Sequence, residues 1–235
     1  MTLYLSNLEA DVQNTKIGPV VERVSARAAK SRVSSLYGSF FKRVLDVSLV
    51  VLSLPVVLPL ILVMAAFIMI GGGMPFYSQF RIGKGGRHFR IWKLRTMVKN
   101  ADEQLNTYLE QNPSAHREWL TSQKLKNDPR ITRLGRLMRK TSMDELPQLW
   151  NVLTGTMSLV GPRPIMIEQE KYYFGRSYYH MRPGITGLWQ ISDRNDCSFV
   201  ERVTYDDAYA RTVSFATDLR TLLKTVGVVL RATGH

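Results

Sequence analysis

The chain is poor in cysteine, in acid and in clustered histidine, and each shortage narrows what it can be. Its single cysteine, Cys197, excludes an intrachain disulfide and fits a reducing compartment. As a small apolar side chain it reads as core. The four histidines, His88, His116, His180 and His235, are scattered without the spacing of a zinc-ligand set. No glycine-rich phosphate fingerprint follows a strand-like run, and Asp206 and Asp207 are adjacent rather than arranged as Asp-x-Asp. A glycosyltransferase that moves only a sugar would need such a nucleotide–metal site on a Rossmann-like domain. There is no internal repeat. Residues 1–38 lack a hydrophobic core beside a small-residue cleavage site, so they do not read as a cleaved signal peptide.

Acid is the most telling shortage. Nineteen acidic residues against 32 basic ones leave a net charge of +13. That balance points to a polyanionic partner: nucleic acid, anionic lipid or a phosphorylated substrate. The length, 235 residues, allows one or two domains and a sizeable core. The basic residues gather toward the end of the first segment (Arg23, Arg27, Lys30, Arg32), which reads as a partly disordered cytoplasmic tail leaning on anionic lipid.

Charge is missing altogether from residues 47–70. At ~1.5 Å per residue this run would reach ~36 Å as one helix, enough to cross a ~30 Å hydrocarbon core. Two features argue against a simple span. Lys42 and Arg43 precede the run, while Arg81, Lys84, Arg87, Arg90, Lys93 and Arg95 follow it, so both flanks carry cytoplasmic charge. Pro59 stands near the midpoint with Pro55 one turn earlier, and proline removes a helical hydrogen bond. A break at Pro59 leaves arms of only ~18 Å each, so the segment is expected to enter the bilayer and return.

Gly71-Gly72-Gly73 closes the apolar run. Beyond it, Phe89, Ile91 and Leu94 alternate with basic residues, and Gly83 with Gly85-Gly86 supplies a turn, which predicts a hairpin. A basic, aromatic hairpin could hold single-stranded nucleic acid; directly after a membrane segment, lipid phosphate is the favoured partner. Residues 100–126 read as two polar helices divided at Asn112-Pro113, and Asp128-Pro129-Arg130 as a turn. Toward the end, Leu219, Leu222, Leu223, Val226 and Leu230 alternate with Arg220, Lys224 and Arg231. That is an amphipathic basic helix, equally suited to lying on a bilayer or packing on the domain.

The stretch richest in chemistry runs from Arg136 to Pro164. Arg136, Arg139 and Lys140 precede Thr141-Ser142, and the acidic pair Asp144-Glu145 opens a short amphipathic helix carrying Leu146, Leu149, Trp150 and Leu153 and ending at Gly155. Ser142 with Glu145 three positions on is a capping box, a purely structural reading of the acids. Capping, however, needs neither the nearby Arg139 nor the rigid Pro162-Arg163-Pro164 further on. A carboxylate pair ringed by arginines suits a site that handles phosphate and a divalent metal.

Three strings, RKTSMDELPQL, MSLVGPRP and RPGITGLWQI, resemble the bacterial sugar transferase family, the monotopic phosphoglycosyl transferases, and above all its short exopolysaccharide-initiating members. The resemblance covers about Phe41 to Leu230 in order, with Lys93-Leu94-Arg95-Thr96 also in the pattern. The family's Ser-Pro helix break falls here at Leu58-Pro59 without its serine, the nearest being Ser53, and Asp193 replaces the glycine usual before Arg194-Asn195.

The resemblance implies an α+β, mostly helical fold: a re-entrant membrane helix-break-helix with Pro59 and Pro55 at the break, and a small cytosolic catalytic domain with interfacial helices and a short β-hairpin. Residues 1–38 would be the tail, 39–73 the membrane helix and 74–235 the catalytic domain. It further implies transfer of a hexose-1-phosphate, galactose or glucose, from a UDP-sugar to polyprenyl (undecaprenyl) phosphate, giving a lipid-linked diphosphosugar and UMP. Asp144 matches the nucleophile, Glu145 its acidic neighbour, both with Mg2+ or Mn2+, and Arg139 a phosphate-binding arginine. Charge and motif position add Arg163, Arg182 and Lys93 to the phosphate set. The implied place is the bacterial inner membrane, monotopic, with both termini on the cytoplasmic face and no nucleic-acid partner; a homodimer stays open. A different class of reading also stays open: a membrane-tethered basic adaptor that binds anionic lipid or nucleic acid without turnover.

Overall fold

The computed structural model describes residues 35–122, 125, 127–192 and 201–230. The expectations for the basic tail, Cys197 and Asp193 lie outside those residues. A π-helical turn, Tyr37–Phe41, leads into a helix of 29 residues, α1 (Lys42–Ile70). Among the described residues, this Tyr37–Ile70 segment is the one helix long and apolar enough to cross a membrane. Only Asp46, Val50, Ala65 and Ile68 of α1 are buried, one narrow stripe at helical spacing. Its other faces bear exposed apolar side chains, among them Leu52, Val56, Leu62 and Ile70. A surface of that kind calls for a non-aqueous neighbour.

α1 runs on through Pro55 and Pro59, so no break in the helix stands at Pro59, contrary to the expectation. Each proline removes one amide donor but leaves the bonds on either side, so helical geometry can bridge the gap. Ser53, the serine nearest to the prolines, donates to the Val50 carbonyl at 2.8 Å.

Both ends of α1 are fastened to the same globular body. At its start the buried Asp46 carboxylate accepts from Ser158 Oγ (2.7 Å) and the Leu159 amide (3.1 Å). Lys42 pairs with Asp218 at 2.6 Å, and Arg43 donates to the carbonyls of Val152 and Leu153. The two cations counted as a cytoplasmic flank are therefore turned inward. At the far end Ala65 and Ile68 pack with Leu94 and Met138, and the Arg95 guanidinium lies over Gly73.

The body itself begins with the expected hairpin, β1 (Phe76–Ile82) antiparallel to β2 (His88–Leu94). Two polar helices follow, α2 (Ala101–Gln111) and α3 (Pro113–Ser122), divided at Asn112 as the proline predicts. Then come α4 (Arg133–Thr141) and α5 (Gln148–Leu153). β3 (Ser158–Val160) and β4 (Gly184–Thr186) form a parallel pair. Backbone lies directly on backbone here: a Cβ on Gly184 would sit 2.1 Å from the Gly161 amide nitrogen, so neither VGPRP nor RPGITG could carry a side chain at these glycines. Tyr178 locks this layer to the hairpin, donating to the Ile82 carbonyl at 2.6 Å.

α6 (Arg202–Thr212) and α7 (Phe215–Leu230) complete the described chain. α7 is oriented against habit. It buries Asp218 and Thr221 while Phe215, Leu219, Leu223 and Val226 stay exposed.

Candidate active site

Three elements converge on the acidic pair. β2 delivers Lys93, and the chain then presents Thr96, which is buried. The Thr96 carbonyl accepts from the Thr132 amide at 3.1 Å, and Thr132 caps α4, its Oγ1 accepting from the Gly135 amide at 2.9 Å. Gly135 rests on Thr96 so closely that a Cβ would lie 2.0 Å from that same carbonyl oxygen. One turn on, on the same helix face, Arg139 Nε donates to Thr96 Oγ1 at 2.9 Å. The tight helix–strand approach thus sets the position of Arg139.

The turn that follows is not the one the capping box implies. Ser142 has φ +57°, terminates α4 through bonds from its amide to the Met138 and Arg139 carbonyls, and makes no side-chain cap. With Ser142 spent as a left-handed C-cap, residues Met143–Glu145 form a 3-10 turn, and α5 starts only at Gln148. The acids are therefore not helix-capping residues, and the structural explanation for them falls away.

Within that turn Asp144 is buried. Among the described residues no side chain donates a hydrogen bond to its carboxylate, although its own backbone amide does. Burial pushes its pKa up from 3.8, and the neighbouring Glu145 adds to the rise; Lys93 and Arg139 oppose it. Glu145 is paired with Lys93 Nζ at 2.6 Å. Lys93, Arg139 and the two acids are brought together as the sequence suggests.

Arg163 and Arg182 are placed elsewhere. Arg163 lies over the Trp189 ring, 5.8 Å from its centroid, and Arg182 Nε donates to the Gly155 carbonyl at 2.9 Å. Neither is among the charges that dominate the Asp144 carboxylate. Near Arg163 are groups the sequence reading passed over: Trp189 Nε1 and both ends of the Gln190 amide are buried with no hydrogen-bond partner among the described residues. Buried polar atoms left unmatched are costly, which makes them candidates for a ligand contact. Thr96 was also missed as a positioning group, although Lys93-Leu94-Arg95-Thr96 had stood out as a string. Asp206, by contrast, is satisfied: Tyr173 donates to it at 2.6 Å, so Asp206 builds structure.

No cluster of three or more metal-ligating side chains occurs among the described residues. A magnesium-type ion needs fewer, since it is commonly held by one or two carboxylates with the remainder from substrate phosphate and water. Asp144, buried and without a side-chain donor among the described residues, together with Glu145, fits that mode of binding.

A buried carboxylate, an acid–lysine pair and an arginine are thus gathered in a body joined to a helix with exposed apolar faces. Residues 37–232 match the family model described as bacterial sugar transferase. The chain belongs to the bacterial sugar transferase family. It is 45% identical over 92% of its length to the UDP-galactose-lipid carrier transferase of Erwinia amylovora, covering 44% of that protein. It is 42% identical over 84% of its length to the exopolysaccharide production protein ExoY of Sinorhizobium fredii, covering 88% of it. It is also 45% identical over 83% of its length to the undecaprenyl-phosphate galactose phosphotransferase of Salmonella typhimurium, covering 41%. The chain thus spans less than half of two of these relatives and most of the rhizobial one.

Proposed function

We propose that this chain transfers a hexose-1-phosphate, galactose or glucose, from a UDP-sugar to undecaprenyl phosphate, as the first step of exopolysaccharide synthesis. The observation that carries the proposal is Asp144: a buried carboxylate with no side-chain donor among the described residues, next to a lysine-held glutamate and an arginine. The names of the relatives, a UDP-galactose-lipid carrier transferase and an undecaprenyl-phosphate galactose phosphotransferase, support the substrate classes.

In this reading the Asp144 carboxylate attacks the sugar-proximal phosphorus of the UDP-sugar. The bond from that phosphorus to the bridging oxygen breaks, and UMP leaves with the electron pair. A phosphosugar–aspartate remains. An oxygen of the polyprenyl phosphate then attacks the same phosphorus, the acyl phosphate bond breaks, and the carboxylate is restored as the diphosphosugar lipid departs. Burial strips Asp144 of the hydration that would blunt it. Lys93 fixes Glu145, and Arg139, held by Thr96, faces the phosphate charge. Arg163 and Arg182 serve as outer phosphate contacts, with Trp189 and the Gln190 amide meeting the nucleotide part of the donor. A bound Mg2+ or Mn2+, held by Asp144 and Glu145, would supply charge neutralisation between two anionic substrates.

The molecule is monotopic in this proposal, with both termini on the cytoplasmic face of the bacterial inner membrane. Support comes from α1, whose two ends hold to one body while its outer faces are apolar, and from the outward apolar stripe of α7. The test uses membranes, magnesium, undecaprenyl phosphate and UDP-galactose or UDP-glucose labelled in both the β-phosphate and the sugar. Both labels in the lipid with UMP release, and loss of both in Asp144→Asn, is the expected result. Sugar label alone, or full activity of Asp144→Asn, overturns the mechanism.

A further inference from the structure

At the root of α1, separate parts of the chain close around a small cleft of about 30 Å3. Gly38 and Lys42 come from the start of the helix, Lys84 from the hairpin tip, and His180 and Arg182 from the segment before β4. The tip, a 3-10 turn at Lys84–Gly86, lies against a second such turn, Ser177–His180, which brings Lys84 toward His180. The cleft is not the acidic site. Lys84 and Lys93 stand at opposite ends of the hairpin, since β2 advances about 17 Å between His88 and Lys93 at ~3.3 Å per residue. Arg182 meets Gly155 beyond the end of α5, whereas Asp144 and Glu145 precede its start.

The charges around this cleft do not cancel. Lys42 is held by Asp218 at 2.6 Å. Asp46, the acid in the lining, has both carboxylate oxygens committed, one to Ser158 Oγ and one to the Leu159 amide. Among the described residues neither Lys84 nor Arg182 forms an ion pair. Arg182 spends Nε on the Gly155 carbonyl, and the two terminal nitrogens of its fork are left for an outside acceptor. A guanidinium and an ammonium converging on one small space suit a phosphate.

Size and surroundings narrow the ligand further. The cleft is roughly tenfold smaller than pockets that enclose a small molecule, so a nucleotide or a sugar does not fit inside it. A single phosphate can rest in its mouth with the remainder of the ligand outside. Outside are Phe40, Phe41 and Val44, which flank Lys42 in the chain and expose their apolar side chains. Phosphate-binding charge beside exposed hydrocarbon fits an amphiphile whose head is anionic.

We propose that this cleft is a second anion site, which takes the phosphate of an anionic phospholipid while the acyl chains lie against the apolar root of α1. Arg182 is the residue it shares with the phosphate set of the proposed reaction; Lys84 and His180 have no part in that reaction. One headgroup thereby ties the root of α1 to the hairpin tip. This accounts for the basic charge at the tip, which the transfer chemistry leaves unused.

The full chain in phosphatidylcholine vesicles, with a small fraction of phosphatidylglycerol bearing a diazirine on its headgroup glycerol, is irradiated without donor sugar. The expected crosslinks fall on the peptides containing Lys84 and His180. Unlabelled phosphatidylglycerol should displace them, while added phosphatidylcholine and millimolar inorganic phosphate should not. Lys84→Glu combined with His180→Glu should cut the labelling by about tenfold. Arg87→Glu, an exposed charge at the same end of the hairpin but outside the cleft, should leave it nearly unchanged. An equal loss in Arg87→Glu would mean diffuse attraction of a basic surface to the membrane and overturn the site. Displacement by inorganic phosphate would make it a site for the free ion and overturn the lipid. Labelling that persists in the double variant, or falls on other peptides, also overturns the assignment. The readout needs no turnover, so intact labelling in a chain that transfers no sugar phosphate would reject the reaction and keep the lipid site.

Discussion

Asp218 and Asp144 are both buried carboxylates, yet their surroundings are opposites. Asp218 accepts from Tyr37 Oη (2.8 Å), Lys42 Nζ (2.6 Å) and Tyr209 Oη (2.6 Å). Asp128 is a third case: burial pushes its pKa up, but hydrogen bonds from three Arg130 nitrogens pull it below the usual range. Asp144 has burial without such donors, and its pKa stays raised. The saturated carboxylates fasten parts of the fold, α1 to α7 in one case and the turn before α4 in the other. The unsaturated one is held in a costly state that only an external partner can relieve. Donor count, more than burial, separates structure from chemistry here.

Asp144→Asn should break that comparison most sharply. Transfer should fall at least ~1000-fold, since the nucleophile is gone. The same substitution should raise the melting temperature at neutral pH. The sign follows from the raised pKa: the folded state binds the proton more tightly than the unfolded chain, so ionised Asp144 costs stability once pH climbs above 3.8 and on through the folded value. Asparagine removes that cost. The gain measured by thermal denaturation should therefore shrink as pH falls toward 3.8, and a gain that persists there would mean a different cause.

Asp218→Ala is the opposite case. It strands a lysine and two tyrosines, and should lower stability by about 3–5 kcal/mol, as expected for removing one partner of a buried pair. Denaturant titration in detergent would read the loss. Transfer measured per folded molecule should survive, because nothing of the acidic turn is touched.

How far the sequence discloses this architecture depends on whether a feature is local. The hairpin could be read from Phe89, Ile91 and Leu94 with their glycine turn, and the division of α2 from α3 from a single proline, because both are settled within a few residues. The acidic pair and Arg139 were legible as a cluster along the chain. The turn holding them was misread: Ser142 and Glu145 spell a capping box, but the left-handed conformation of Ser142 gives that residue to the preceding helix. β3 and β4 are three residues each and pair across more than twenty positions, too short for any periodicity to register. The partners of Asp46, and the Tyr37 and Lys42 partners of Asp218, lie more than a hundred residues away, so the fastening of α1 has no local signal.

Gly135→Ala asks whether the close approach of α4 to Thr96 matters to the site. The added methyl meets backbone carbonyl, not a movable side chain, so α4 must shift. A loss of about 1–3 kcal/mol is expected, within the range of overpacking. Because Arg139 is one turn further along the same face, the KM for the nucleotide sugar should rise more than in a surface control such as Leu137→Ala. An unchanged KM would detach Arg139 from substrate binding.

The smallest effect probes the balance of charges on Asp144 itself. Asp144 must be ionised to attack, so activity should rise with pH through its pKa, placing the acid limb of the kcat/KM profile above the ordinary aspartate value of 3.8. Lys93 pulls that pKa down, so Lys93→Met should move the limb further toward neutral pH. The same change removes the 2.6 Å Lys93–Glu145 ion pair, so the carboxylate that already raises the Asp144 pKa loses a compensating cation. The two consequences act in one direction. A limb that moves to lower pH in Lys93→Met would show that Asp144 is not the group whose ionisation the profile reports.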